Sequence, residues 1–431
     1  MREKKSYSHR DPLFKRKFLQ WASRYERFCF LDNNGYSHRQ YHSHKCIAGL
    51  GSIKEFTIRS VADIDKCRRF INVSSDWLFA AISYDMKNIF ESLTSGNPDF
   101  CGFPLLHLFC PELIFEISDE SVSVLFFPGP GAEKQSDKVV AEILSTPLHG
   151  SISDKIPVRS RITREDYIET VAAIKNHIRQ GDCYELNYCQ EFFSEDAVLS
   201  PHAVFDALNR YSPAPFAGFY RLGEHYLMCS SPERFLRKEG VKIISQPVKG
   251  TIRRGGSPDE DEMLRTLLLN DPKERAENVM IVDLVRNDLS RISVPGSVEA
   301  EELFGVYTFG QVHQMISTVI GRLSGNPDFI SILSAAFPMG SMTGAPKIKA
   351  MELIDRYENS RRGIFSGAVG YINPSGDFDF NVVIRSLVYN AGSRYLSFMT
   401  GSAITFSSSP EKEYEECLLK AAAMKHILGN N

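Results

Sequence analysis

The order in which strand-like and helix-like segments follow one another constrains this chain more than any single motif. Apolar runs bounded by turn residues, Gly218 to Tyr226, Val241 to Val248, Ala368 to Ile372 and Phe380 to Tyr389, read as strands. They come in blocks set against blocks of helical periodicity, without the one-for-one alternation that a βαβ chain requires. The pattern predicts an α+β fold, an antiparallel sheet with helices packed on it, over a doubly wound one. The clearest helix opens at Thr163, where Asp166 completes a capping box. Tyr167, Val171, Ile174 and Ile178 then recur on one face until Gly181 supplies the stop. A strand from Cys183 to Phe193 follows. The best candidate boundary is Ser145 to Ser160, rich in Ser, Pro and Gly, with strand-like runs such as Val124 to Gly131 before it. We expect residues 1–150 to form an N-terminal portion and 151–431 the larger remaining portion of one intertwined domain.

Several classes of function fall away on composition. Of 431 residues, 43% are hydrophobic and 24% charged, enough to bury a large core without a disulfide or metal staple. Lys and Arg number 50 against 53 Asp and Glu, a net charge of -3, which lacks the positive excess a nucleic-acid binder needs. The longest apolar stretches, Trp77 to Ser83 and Val124 to Phe127, fall far short of the roughly 20 residues that cross a bilayer. The basic N-terminus has no apolar region or cleavage site behind it, so no membrane or secretory address is expected. Nine scattered cysteines without a C-x-x-C pair read as reduced thiols, and the expected compartment is the cytoplasm.

Two helices share an uncommon opening. Asp271-Pro272 starts one that carries Glu274 and Glu277, and Ser409-Pro410 starts one that carries Glu413 and Glu416, with Lys420 four residues further. Each glutamate pair is three residues apart and so shares a helical face. Acidic residues also favour helix N-termini for dipole reasons alone. If the two helices meet, however, four carboxylates without a histidine are hard oxygen donors suited to Mg²⁺ rather than zinc.

Lys249, in QPVKGT, follows a proline and precedes a glycine, an unusual place for a lysine that only solvates a surface. To act as a nucleophile it must lose a proton, so its pKa must fall from about 10.4 toward about 7 to 8. Desolvation, Arg253, Arg254 and a bound Mg²⁺ are candidate sources of that fall. Glu233, after Pro232, projects from a bend and is a candidate general acid. A plain hairpin turning at Lys238 to Gly240 sets Lys249 opposite Cys229, roughly 14 Å from Glu233, so only the two proline bends or a substrate can link them. Arg385, at the end of NVVIR, suits bidentate binding of a carboxylate, or equally a structural ion pair. The segment GSMTGAPK lacks the G-K-[ST] ending of a phosphate loop, and His38, His42 and His44 read as a solvated loop.

The segments GDCYELN (181–187), SSPERF (230–235), PVKGT (247–251), ERAENVMIVDLVRND (274–288), PMGSMTGAPK (338–347), RGIFSGAVGYI (362–372), Ile384-Arg385 and SSPEKEYEEC (408–417) together resemble the chorismate-utilising enzymes. The resemblance runs from about Arg164 to Lys425 and is loose in the N-terminal third. That group includes the large components of anthranilate synthase and aminodeoxychorismate synthase, and the isochorismate and salicylate synthases. It implies the anthranilate synthase component I-like fold, with large antiparallel sheets packed as a sandwich and surrounded by helices, and dependence on Mg²⁺. Lys249 is similar in position to the nucleophilic lysine of the aminodeoxychorismate synthase branch, where anthranilate synthases have alanine. Glu185 is a departure, standing where that branch usually has glutamine and the water-using members have a lysine base. A carboxylate there is a candidate holder of ammonium near the ring.

The resemblance implies the following roles. Glu277 and Glu416, supported by Glu274 and Glu413, carry Mg²⁺ for the ring carboxylate of chorismate. Lys249 adds at C2, Glu233 protonates the departing C4 hydroxyl, and ammonia then adds at C4. Arg385 and the backbone around Gly401 and Ala403 hold the enolpyruvyl carboxylate, while Gly250, Thr251, Thr343 and His313 line the site. No G-x-C-x-G glutaminase segment is present, so ammonia is expected from solution or from a separate glutamine amidotransferase subunit. Phe30-Leu31-Asp32-Asn33 stands where the tryptophan-regulated branch resembles L-L-E-S, so tryptophan feedback is not expected. The rival readings are anthranilate synthase component I, a non-catalytic chorismate-binding subunit, and a Mg²⁺ phosphoryl-transfer enzyme, the last disfavoured by the missing phosphate loop.

Overall fold

The computed structural model describes residues 2–36, 41, 44–148 and 155–430. His38, His42 and the middle of the 145–160 stretch lie outside the described residues. Two antiparallel sheets dominate, one of twelve strands and one of ten. The first runs Glu3–Ser8, Ser121–Phe126, Leu113–Ile117, Cys46–Leu50, Arg27–Asp32, Phe216–Leu222, His225–Ser231, Ser386–Asn390, Tyr395–Ile404, Glu185–Ser194 and Gly344–Ala345, with Arg159–Ser160 beside the Glu185 strand. The second runs Val248–Arg253, Val312–Arg322, Lys242–Gln246, Arg234–Glu239, Phe378–Asn381, Ala368–Ile372, Leu78–Ile82, Leu106–Cys110 and Lys54–Ile58, with Glu299–Thr308 beside the Val312 strand.

Alternation along the strands explains how the sheets stack. In Leu78–Ile82 the residues Leu78, Ala80 and Ile82 face a helical layer, while Phe79 and Ala81 face the other sheet. In Arg27–Asp32, Phe28 and Phe30 face helices and Cys29 faces inward. A period of two with both faces apolar is what a sheet buried on both sides requires. The inner core joins Cys29, Ile47, Tyr220 and Leu227 of one sheet to Phe79, Phe109 and Val369 of the other. Gly49 sits where a Cβ would lie 2.6 Å from the ring of Phe79, so the sheets close to contact distance only over a glycine. Helices cover both outer faces, including Arg164–Gln180 and Pro410–Ile427 on one and Pro272–Ser290 and Phe329–Ala336 on the other. The expected α+β sandwich surrounded by helices is the observed architecture.

The helix opening at Thr163 forms as expected. Its side chain accepts from the Asp166 N–H, and Gly181 ends it with a left-handed backbone. The run Phe380 to Tyr389 is not one strand. It splits into Phe378–Asn381 of the ten-stranded sheet and Ser386–Asn390 of the twelve-stranded sheet, and Val382 to Arg385 cross between them. Asn381, Arg385 and Ser386 interrupt the run at the two strand ends, but Val382 to Ile384 are apolar and polar residues also occur within strands, so the pattern does not say that the chain changes sheet. A second crossing lies at Pro232 and Glu233, between His225–Ser231 and Arg234–Glu239. The two crossings are bonded to each other, the Ser230 N–H to the Arg385 carbonyl at 3.0 Å and the Val382 N–H to the Glu233 carbonyl at 3.0 Å.

Candidate active site

Both candidate residues at these crossings owe their position to the change of sheet. Arg385 has φ +53, a left-handed backbone uncommon for a residue with a side chain. Its guanidinium is half-buried and has no hydrogen-bond or ion-pair partner among the described residues. Burial lowers its pKa, against the opposing charge of Glu416. A guanidinium without a structural carboxylate has both its N–H edges available to pair with a carboxylate. Glu233 is buried and accepts a hydrogen bond from the Ser341 hydroxyl at 2.7 Å. Burial pushes its pKa up to about 7, although the Ser341 bond, the Lys249 charge and the Val248 N–H all pull it down.

The plain hairpin geometry does not hold. The turn is Gly240-Val241, with Glu239 opposite Lys242, and a bulge shifts the register between Arg234 and Arg237. Lys249 does not lie opposite Cys229, because the chain bends at Pro247 and Val248–Arg253 pairs with Val312–Arg322. A second bulge falls between Val248 and Thr251 and turns Lys249 off the ladder. Gly250 takes φ +89 there, and a Cβ on it would meet Glu274 Oε2 at 3.1 Å. Thr251 is exposed.

The lysine so released meets Glu185, Nζ to Oε1 at 2.6 Å, with the side chains 10% and 2% exposed. Burial alone pulls the Lys249 pKa down, but Glu185, Glu277 and Glu416 together leave it above the ordinary lysine value. The expected fall is therefore absent from the resting site. Arg253 and Arg254 do not supply it, since they pair with Glu260 at 2.6 Å and Asp261 at 2.7 Å. Glu185 is itself fixed by close packing: its strand pairs with Gly344–Ala345, and a Cβ on Gly344 would lie 2.0 Å from the Glu185 carbonyl oxygen.

The two acidic helices do converge on this pair. Asp271 caps the first through the N–H groups of Lys273 and Glu274. Ser409 opens the second without a side-chain cap, its hydroxyl donating to Glu411 instead. Lys273 feels all four carboxylates, Glu277, Glu413, Glu274 and Glu416, so both helix starts face one region. Burial pushes Glu277 up to about 7 and raises Glu274. Burial also works against ionisation of Glu416, but Lys420, in contact at 2.7 Å, leaves it below its ordinary value. Among the described residues, no three His, Cys, Asp or Glu side chains stand close enough to enclose a metal ion. The donor set still fits Mg²⁺, which takes one or two carboxylates and keeps its waters, and the glutamates already carry one cation beside them, the Lys273 ammonium 3.7 Å from Glu277.

Several other expected residues have their polar groups engaged within the protein. The Thr343 hydroxyl donates to the carbonyls of Met339 and Gly340 at 3.0 and 3.2 Å. His313 has both ring nitrogens bonded, to Thr308 at 2.9 Å and Asp261 at 3.0 Å. Gly401 and Ala403 stand opposite Cys189 and Asn187, and the Gly401 carbonyl accepts from Lys420 at 2.9 Å. Sequence reasoning missed Ser341, Lys273 and the buried Arg362. Arg362 pairs with Glu358 and donates to the carbonyls of Met342 and Asn187, bracing the turn of Ser341 against the strand of Glu185. Ser341 and Arg362 stand within segments already quoted, GSMTGAPK and RGIFSGAVGYI, and Lys273 falls between the Asp271-Pro272 opening and Glu274; that placement was the available signal.

A family model described as chorismate binding enzyme matches residues 19–426. Aminodeoxychorismate synthase component 1 of Klebsiella aerogenes is 38% identical over 347 residues, 80% of this chain and 75% of that protein. Aminodeoxychorismate synthase of Streptomyces griseus is 44% identical over 275 residues, which cover 63% of this chain but only 37% of that longer protein. The crystal structure of anthranilate synthase component I from Streptococcus pneumoniae superposes with a TM-score of 0.78 at 24% identity, covering 91% of this chain and 95% of that one, and shares the fold. This chain belongs to the chorismate-binding enzyme family.

Proposed function

We propose that the chain is component I of an aminodeoxychorismate synthase, converting chorismate and ammonia to 4-amino-4-deoxychorismate, the precursor of p-aminobenzoate and folate, through a covalent lysine intermediate. The observation that carries this reading is Lys249, buried against Glu185 at 2.6 Å with its charge felt by Glu233. The names and identities of the Klebsiella and Streptomyces proteins support the same branch. Arg385 receives the enolpyruvyl carboxylate of chorismate and fixes the ring between the two sheet crossings. Glu277 and Glu416, with Glu274 and Glu413 behind them, would hold Mg²⁺, which when bound supplies positive charge to the ring carboxylate. Lys249 attacks C2 while Glu233 protonates the C4 hydroxyl. With a pKa of about 7, Glu233 still holds its proton near neutrality and gives it up easily. Ammonia then enters at C4 as the lysine departs, and the enolpyruvyl group stays on the ring.

A separate glutamine amidotransferase subunit is the proposed ammonia source, in keeping with the component 1 name of the Klebsiella protein. The cytoplasm is the proposed location, in keeping with nine free cysteines and no helix among the described residues long and apolar enough to cross a membrane. The test is mass spectrometry of the product from the pure protein, chorismate, Mg²⁺ and ammonium, beside Lys249→Ala. Aminodeoxychorismate from the wild type, and its loss in the variant, is the expected result. Anthranilate with free pyruvate, or binding without turnover at any ammonia concentration, overturns the assignment.

A further inference from the structure

We infer that Glu185 is the catalytic base of the covalent step, taking from Lys249 the proton it must lose before attack and returning it when the lysine is released. This rests on the covalent-lysine reading above. Among the described residues, Glu185 alone is hydrogen-bonded to the Lys249 Nζ, while Glu233, Glu274, Glu277 and Glu416 act on the lysine through their charge. The other oxygen of Glu185, Oε2, is buried and has no hydrogen-bond partner among the described residues. The carboxylate therefore depends on one partner for its compensation. If the lysine proton went to solvent, an ionised, half-satisfied carboxylate would remain buried, with its side chain 2% exposed, which is costly. Transfer from Nζ to Oε1 across the existing 2.6 Å contact neutralises both partners at once and leaves no new buried charge.

The cycle closes in protons. An Nζ–H bond breaks and an Oε1–H bond forms, and the freed lone pair makes the bond to C2. The C1=C2 and C5=C6 electron pairs shift round the ring, the C4–O bond breaks, and the Glu233 proton leaves with the hydroxyl as water. The intermediate holds a secondary ammonium at C2, a neutral Glu185 and an ionised Glu233. Ammonia bonds to C4, the ring pairs shift back, and Lys249 departs as a neutral amine. It recovers its proton from Glu185, and the new C4 ammonium restores the proton of Glu233. The sum is chorismate plus ammonia to aminodeoxychorismate plus water.

The test compares wild type with Glu185→Gln in the presence of Mg²⁺ and chorismate without ammonia, following the Lys249 adduct by rapid quench and intact-protein mass. With an internal acceptor the total proton count of the Lys249–Glu185 pair does not change. The wild-type rate should therefore be flat between about pH 5 and 6, below the Glu233 pKa of about 7, where that acid is protonated. In the variant the proton must go to water, and the rate should climb about tenfold per pH unit below the lysine pKa. Parallel profiles overturn the inference. Without substrate, the pH at which Lys249 reacts with an amine-directed reagent should fall in the variant, and an unchanged midpoint overturns it as well. Wild-type protein that aminates chorismate with no adduct on Lys249 overturns the covalent-lysine reading itself, a result distinct from parallel profiles.

Discussion

At the scale of single residues, Glu233 and Lys249 are both held protonated by their surroundings, the one neutral and the other charged. The carboxyl is buried beside one hydroxyl and keeps its proton up to about pH 7, and the amine is ringed by carboxylates and keeps its own to higher pH. A general acid is active only while protonated, so kcat should fall as pH rises through about 7. The Ser341 hydroxyl stabilises the ionised form of Glu233, and Ser341→Ala should move that descending limb to higher pH. Glu233→Gln should remove the limb and lower kcat by about 10²- to 10⁴-fold, the usual contribution of general acid catalysis. Rate measurements across pH with all three proteins check this, and a limb unmoved by Ser341→Ala counts against Glu233 as the titrating group.

Elements were legible where their signals are local. The Thr163 helix announces itself through cap, stripe and stop within 19 residues, and the Asp271-Pro272 opening could be read because the cap and the fixed φ are neighbours in sequence. The contact of Glu185 with Lys249 spans a separation of 64 residues, and no periodicity encodes it. The crossings at Pro232 and at Val382 to Arg385 were illegible for another reason: a residue pattern states which face of a strand is buried, not which sheet the strand joins. GSMTGAPK could be excluded as a phosphate loop, but its actual task needs the fold. It packs the strand Gly344–Ala345 against Glu185 so closely that only glycine fits at 344. Gly344→Ala should therefore cost about 1–3 kcal/mol in stability through overpacking. By displacing Glu185 from Lys249 it should also lower kcat/KM about 10²-fold, the cost of a misplacement near 1 Å. Denaturant unfolding and steady-state kinetics measure the two effects, and an alanine variant with wild-type values for both would show that the strand yields without moving the site.

For the whole molecule the question is whether residues 1–150 and 151–431 are separable bodies. In the twelve-stranded sheet Arg27–Asp32 pairs with Phe216–Leu222, and in the ten-stranded sheet Leu78–Ile82 pairs with Ala368–Ile372, so each sheet joins early and late segments edge to edge. The core between the sheets likewise mixes Phe79 and Phe109 with Tyr220, Leu227 and Val369. Removing the early segment would uncover two apolar strand edges, a state prone to aggregation rather than an independent fold. We therefore predict one cooperative heat-absorption peak for the intact chain, and no native-like fold from residues 155–430 expressed alone. Phe79→Ala, in the early segment, removes a ring buried between the sheets and should cost about 3–5 kcal/mol. In an intertwined chain that cost shifts the whole peak to lower temperature, and Arg385 and Glu233 lose their setting together with the N-terminal strands. In a two-body chain it would split off a separate early transition and leave the chorismate site to melt later. Differential scanning calorimetry of Phe79→Ala, with and without chorismate, separates the two: a second, chorismate-stabilised peak unmoved by the substitution would mean that the sheets are shared in geometry but not in stability.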